Sequence, residues 1–288
     1  MAVSEISYAN IWKYADQIDS DDAENIERPF YHGIVLENDE GLLEAGAIWE
    51  VRSLENERND TIAEISWLNV TSEEAGEDFI TAYTSSIQDD EITDSCFELV
   101  DERGKDSGAI LTSYGFKTKE QECRTLIVTV ADLKNIASLK LDKKVPDYIH
   151  PLSDISDWEL NRGIVSCIFR SHRPLVQDLT SLPLTWYEPD ISCYVETDGR
   201  ADGFLLVHRT PSGKLRVELF INNGPDPKTE LYHMARFAAK KTIEMYDDET
   251  QIILVRRDTP SVKLASRLFP KIKGETALVG RRKETTWL

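Results

Sequence analysis

One order of elements occurs twice in this chain, at matching spacings. The apolar strand AEISWLNV carries Glu64, and the strand VELFINN carries Glu218. From Glu64 to Leu99 in CFELV is 35 residues, and from Glu218 to Leu254 in QIILV is 36. From Leu99 to Phe116 in SYGFK is 17, and from Leu254 to Pro270 in RLFPK is 16. Each interval recurs to within one residue at an offset of about 154, although few residues match; it is the order that repeats. A chain of 288 residues that repeats itself in this way divides into two units of ordinary domain size. The expected halves are residues 1–138 and 139–288, with the polar stretch KLDKKVPDYIHP as the linker.

Both copies read as strands first, then strand, helix, strand, helix, strand. In the first, a helical start near Ile11–Ile26 precedes two extended runs, HGIVLEN and GLLEAGAIWEVRS, joined by the hairpin signal Asp39-Glu40-Gly41. A helix over Glu73–Ile87 follows, with Phe79, Ala82, Tyr83 and Ile87 on one face. The strand around Phe97–Val100, a short helix stopped at Gly115 and the strand Thr125–Val130 complete the copy. In the second, the helix ISDWELNRGIVSCIFRSH leads into a pair of strands turning at Asp198-Gly199-Arg200 or at Asp202-Gly203. A long helix over Lys228–Tyr246 carries Leu231, Ala235, Ala238, Thr242 and Met245 as its buried stripe. QIILV, a helix opened by Thr259-Pro260-Ser261 and the strand TALVG close it. The fold class expected is α/β (α+β): two tandem domains, each a mixed, mostly antiparallel sheet flanked by helices.

Charge separates the copies. Residues 1–150 hold 33 acidic and 13 basic side chains, a balance of −20, whereas residues 151–288 hold 19 and 20, a balance of +1. The first half repels polyanions over a Debye length of about 8 Å at physiological salt, so no nucleic-acid partner is expected. No apolar run approaches the length of a membrane span. The opening MAVSEISYANIWKYADQ lacks the basic and apolar pattern of a secretory signal, so the expected location is cytoplasmic. Cys96, Cys123, Cys167 and Cys193 form no CxxC pair and read as reduced thiols. The five histidines show no ligand spacing, so no metal is expected.

The duplicated order resembles tandem members of the GNAT superfamily of N-acetyltransferases, over nearly the whole chain. The family's signature runs V-x-P-x-x-R-G-x-G-x-G from strand into helix, where bare N–H groups hold the pyrophosphate of acetyl-CoA and glycines admit it closely. In the first copy, Val70-Thr71-Ser72-Glu73-Glu74-Ala75-Gly76-Glu77-Asp78 places Ser72 at the proline and Ala75 at the arginine, and four acidic residues crowd the loop. Two unit charges about 5 Å apart repel by roughly 3 kcal/mol at an effective dielectric near 20, which marks this loop as degenerate. In the second, Asn223-Gly224-Pro225-Asp226-Pro227-Lys228 places Pro225 at the proline and Lys228 at the basic position, with Thr229, Glu230, Leu231, Tyr232 and His233 after it. The resemblance implies acetyl-CoA as co-substrate, held by Lys228 through His233 in the second copy. The plain alternative is a helix capped by Asp226 with Pro227 in its first turn, needing no ligand.

Amine acylation needs a base for the ammonium and a donor for the leaving thiolate. The resemblance puts Glu218 at the base position, directly or through water, and Glu64 at the matching place in the first copy. The outward face of an alternating strand would account for Glu218 equally well. The family's acidic tyrosine maps to Leu111 and Ala265, with Tyr114 and Tyr232 only nearby. Arg256-Arg257 and Arg281-Arg282-Lys283 could meet the 3′-phosphate or simply end strands in solvent, and Arg170-Ser171-His172-Arg173 is equally ambiguous. Trp287 is expected to plug an apolar gap. The expected function is acetyl transfer to a small cationic amine attracted by the acidic copy; the alternative is a regulatory or binding protein that kept the fold and lost catalysis. Oligomeric state is not read from these features.

Overall fold

The computed structural model describes residues 1–53, 60–171, 177–180, 182–257 and 259–284. His172, Arg173 and Trp287, singled out above, lie outside the described residues. The chain forms two compact units. The first comprises Met1–Cys123 and the segment from Glu275 onward, with Val176–Asp178; the second comprises Arg124–Leu175 and Leu179–Gly274.

The first unit holds β1 (Ala2–Glu5), α1 (Ser20–Asn25), β2 (Tyr31–Glu37), β3 (Leu43–Ser53), β4 (Thr61–Val70), α2 (Glu73–Ser86), β5 (Ile92–Leu99), α3 (Glu102–Leu111) and β6 (Lys117–Glu122). The second holds β7 (Thr125–Thr129), α4 (Val130–Lys134), β8 (Ile149–Pro151), α5 (Asp157–Ser171), β9 (Cys193–Thr197), β10 (Arg200–Arg209), β11 (Leu215–Asn222), α6 (Pro227–Met245), β12 (Gln251–Val255) and α7 (Thr259–Leu268). The remaining strand, β13 (Thr276–Lys283), returns to the first sheet, whose order is β1-β2-β3-β4-β5-β13-β6. The second sheet runs β7-β12-β11-β10-β9-β8. Each is mixed: β4–β5 and β11–β12 are parallel, and every other pairing is antiparallel.

The exchange of β7 and β13 departs from the expected halves. Thr125–Thr129, read as the last strand of the first copy, pairs with β12 in the second sheet. TALVG, read as the last strand of the second copy, lies between β5 and β6 in the first. Local sequence cannot choose between them, because either short apolar strand can fill either slot. KLDKKVPDYIHP is not a free linker either. The buried Arg236 of α6 donates from Nε to the carbonyl of Leu139 at 2.6 Å and from an Nη to that of Lys144 at 3.3 Å, and Ile149–Pro151 is an edge strand.

Most other elements follow the local signals. The β9–β10 hairpin turns at Asp198-Gly199, both at positive φ, as a primed turn requires. On α2 the buried residues include Phe79 and Tyr83, with Ile87 closing the ladder. On α6, Ala238 and Thr242 of the expected stripe are buried beside Glu230, Met234, Arg236, Phe237 and Ala239, Leu231 and Ala235 are partly buried against the same core, and Met245 is exposed.

Gly280 shows how tightly β13 is held. A Cβ there would lie 2.2 Å from Cζ of Phe97, the residue paired with it on β5. Phe97 is buried and tilted against Phe116, so it has little room to yield. Gly280→Ala is expected to destabilise the first unit by about 1–3 kcal/mol. Chemical denaturation monitored in that unit measures it; an unchanged midpoint would mean that Phe97 can move aside.

Candidate functional site

A sheet opens where two parallel strands stop pairing, and the N–H and C=O groups facing the gap must find other partners. In the second unit β11 and β12 pair only at Leu215↔Ile252 and Arg216↔Ile253. Beyond that point β11 stays paired with β10 and β12 with β7, leaving a wedge between them. A cavity of about 210 Å³ occupies this place, lined by β10, β11, β12, α6, α7 and the segment around Leu133–Leu139. Glu218, Thr242, Arg256 and Ser261 are its polar lining residues, and the other lining residues are apolar.

Glu218 stands at the mouth of the wedge for a structural reason. The β10–β11 register slips between Leu206↔Leu219 and Val207↔Val217, making Glu218 the extra, bulged residue. Its side chain is only 7% exposed, and its Oε1 accepts from Nε of Arg216 at 2.6 Å. The corresponding slip in the first unit lies between Ile48↔Trp67 and Trp49↔Ile65, so the bulged residue there is Ser66. Glu64, matched to Glu218 by spacing, sits before the bulge, opposite Glu50 and ion-paired with Arg52. The spacing misleads because the loop from β11 to α6 is two residues longer than that from β4 to α2.

The residues expected at the cofactor loop are placed less favourably. Asp226 caps α6, accepting from N–H of Thr229 at 3.4 Å, and its carbonyl takes N–H of Glu230. Glu230 is buried and folds back over the loop, accepting from Nδ2 of Asn222 at 2.6 Å. A Cβ on Gly224 would fall 2.1 Å from a Glu230 oxygen, so this glycine makes room for a carboxylate of the chain itself. Lys228 and Thr229 are exposed, and Leu231 is half-buried. Arg267 lies over the ring of Tyr232 at 5.2 Å. His233 is hydrogen-bonded through Nδ1 to the Tyr148 hydroxyl, and burial, then Arg236, hold its imidazole below the usual histidine value. Of the residues expected at this site, Glu218 alone lines the cavity.

In the first unit the equivalent wedge is filled. Ser107 of α3 is buried and accepts from the N–H of Val70 at 2.9 Å, at the end of β4. Tyr114 covers the first turn of α2, its hydroxyl donating to the Glu73 carbonyl at 2.5 Å and its ring lying against Gly76. The basic cluster Arg281-Arg282-Lys283, open between a 3′-phosphate and solvent, lies on β13 in this unit: Arg281 pairs with Asp94 at 2.9 Å and Arg282 with Glu284 at 2.7 Å. Arg170 is paired with Asp202 at 2.7 Å, whereas Arg256 does line the second cavity.

Counted by unit, the charge asymmetry grows. The first unit carries 33 acidic and 11 basic residues, a balance of −22; the second carries 19 and 22, a balance of +3. Burial raises the Cys167 thiol to about 11 and pushes Cys193 higher still, so neither is a ready nucleophile. Among the described residues, no helix is long and apolar enough to cross a membrane.

No protein-family model matches this chain, and no curated protein does. Solved structures do. A tandem GNAT protein from the clavulanic acid biosynthesis pathway matches at a TM-score of 0.60 and 9% identity, over 99% of this chain and 99% of its own. A GCN5-related N-acetyltransferase from Sphaerobacter thermophilus matches at 0.55 and 12%, over 99% and 97%. A GCN5-related glucosamine N-acetyltransferase region of a fungal multi-domain β-N-acetylglucosaminidase matches at 0.58 and 11%, over 97% of this chain and 38% of that one.

Proposed function

We infer that this chain, which has the tandem GNAT fold, is an acyl-CoA-dependent N-acyltransferase whose reaction centre lies in the second unit. The observation that carries this reading is the apolar cavity at the β11/β12 wedge with Glu218 at its edge. The thioester supplies the acyl carbon: its C–S bond breaks, a C–N bond forms, the amine gives up a proton and the thiolate takes one. Glu218 accepts the amine's proton, directly or through water. Its partner Arg216 keeps the carboxylate held and oriented. The unpaired edges of β11 and β12 offer backbone groups to the amides of the pantetheine arm. A small cationic amine suits the chain's net charge of −19, which favours the approach of cations.

The pyrophosphate fits less well. Lys228 is the cation at the start of α6, but Asp226 and Glu230 already occupy its first turn. Titrating coenzyme A by calorimetry tests the assignment. Wild type is expected to bind, and Lys228→Glu to weaken binding roughly fivefold, about 1 kcal/mol. Glu230→Gln keeps an acceptor for Asn222 while removing a charge, and is expected to tighten binding several-fold. No binding to wild type at millimolar ligand would overturn the reading.

The self-capped start of α6 also favours a second reading, a GNAT-fold regulatory or binding protein without turnover. Thiol release measured with acyl-CoA and a panel of amines separates the two: sustained release dismisses the second reading.

A further inference from the structure

The two units pack their long helices with the same four-residue ladder but different side chains. On α2 the buried rungs are Ala75, Phe79, Tyr83 and Ile87; on α6 they are Glu230, Met234, Ala238 and Thr242. Tyr83 is fully buried in the first unit, its hydroxyl donating to Ser95 on β5 at 2.9 Å. The cavity-facing side of α6 carries only small residues, Ala235, Ala238, Ala239 and Thr242. These small residues all line the cavity, whereas the buried face of α2 carries the larger Phe79 and Tyr83. It runs from Glu218 at the wedge to apolar walls such as Leu205, Val207 and Leu215.

A hollow lined in this way is poor in partners for water and suits an apolar guest. An engineered cavity of about 150 Å³ with aliphatic and aromatic walls accepts benzene, a six-carbon guest, and this one is larger. Unfilled space of this kind in a core is destabilising.

Resting on the acyltransferase reading above, we propose that the second unit takes a medium-chain acyl group, of about six carbons, with its tail in the hollow over Ala238 and its carbonyl near Glu218. The wedge receives the thioester, and the small residues of α6 set chain length.

The test is calorimetric binding of coenzyme A, acetyl-CoA, butyryl-CoA, hexanoyl-CoA and free hexanoate to the full chain. Affinity is expected to rise with chain length, by about fourfold for each methylene buried. Ala238→Phe is expected to bring acetyl-CoA and hexanoyl-CoA to equal affinity. Thr242→Ile, which adds bulk to the cavity wall, is expected to reduce the preference, and it serves if the phenylalanine variant does not fold. Equal affinity for acetyl-CoA and hexanoyl-CoA in wild type would overturn the proposal while leaving the acyltransferase reading standing. Free hexanoate binding as tightly as hexanoyl-CoA would also overturn it, marking a fatty-acid site. Failure of coenzyme A and every thioester to bind would remove both.

Discussion

Glu218→Gln is expected to lower the turnover number about 10²- to 10⁴-fold, the range for losing a positioned general base. The substitution also touches packing, so the cause of the loss must be separable. The Glu218 side chain is 7% exposed and that of Arg216 is 15% exposed, and removing one partner of a buried pair commonly costs about 3–5 kcal/mol. Glutamine softens that cost, because its carbonyl oxygen can still accept from Nε of Arg216. Two measurements distinguish chemistry from stability. A lost base lowers the turnover number of the folded enzyme, measured per folded molecule. It also leaves acyl-CoA affinity close to that of wild type. A variant that lost activity only in proportion to its folded fraction would assign Glu218 a structural role only.

A chain ending at Gly274 is expected to lose the first unit and keep the second. β13 forms ladders with both β5 and β6, from Leu278↔Leu99 to Lys283↔Asp94 on one side and from Thr276↔Glu122 to Arg281↔Lys117 on the other. Without it β5 becomes an open edge, β6 has no neighbour in its sheet, and Phe97 and Phe116 lose their cover. Domains are stable by only about 5–15 kcal/mol in total, so an internal strand is more than such a unit can give up. The second sheet takes its outer strand from Thr125–Thr129 and is complete within the remaining residues. Hydrogen exchange read by mass spectrometry should show β4 and β5 amides exchanging freely while β10 and β11 stay protected. Protection of β5 in the shortened chain would mean that the first unit does not depend on its distant strand.

Both outcomes bear on what could be read before the fold was known. The order of elements from β2 to α3 and from β9 to α7, the hairpin at Asp39-Glu40-Gly41 and the α6 start at Pro227 follow from local patterning and spacing, whereas β1, β6 and β8 do not. The strand exchange does not, because TLIVT and TALVG carry the same short apolar signal and only pairing far along the chain decides their places. The match of Glu64 to Glu218 fails because the loop before α6 is two residues longer than that before α2, and spacing alone does not show that both strands bulge, at Ser66 and Glu218. The ladder of small residues on α6 was in plain view as Ala235, Ala238 and Thr242. An alanine on a buried face reports a hollow only when the opposing surface fails to close on it, and that depends on β10, β12 and α7 together. Helix capping by Asp226 was legible from its neighbours, whereas the inward turn of Glu230 was not, because nothing local marks a charged residue for burial.

The placement of β13 also orders events during synthesis. The first unit's other strands leave the ribosome by residue 122, but the strand that closes its sheet follows about 150 residues later. At elongation rates of about 5–20 residues per second, the nascent first unit waits roughly 8–30 s with a vacant slot between β5 and β6. The second sheet is complete once β12 has emerged, before β13 is made. The unit made first is therefore the one completed last, and during that interval its unpaired edges are the part of the chain most in need of a chaperone.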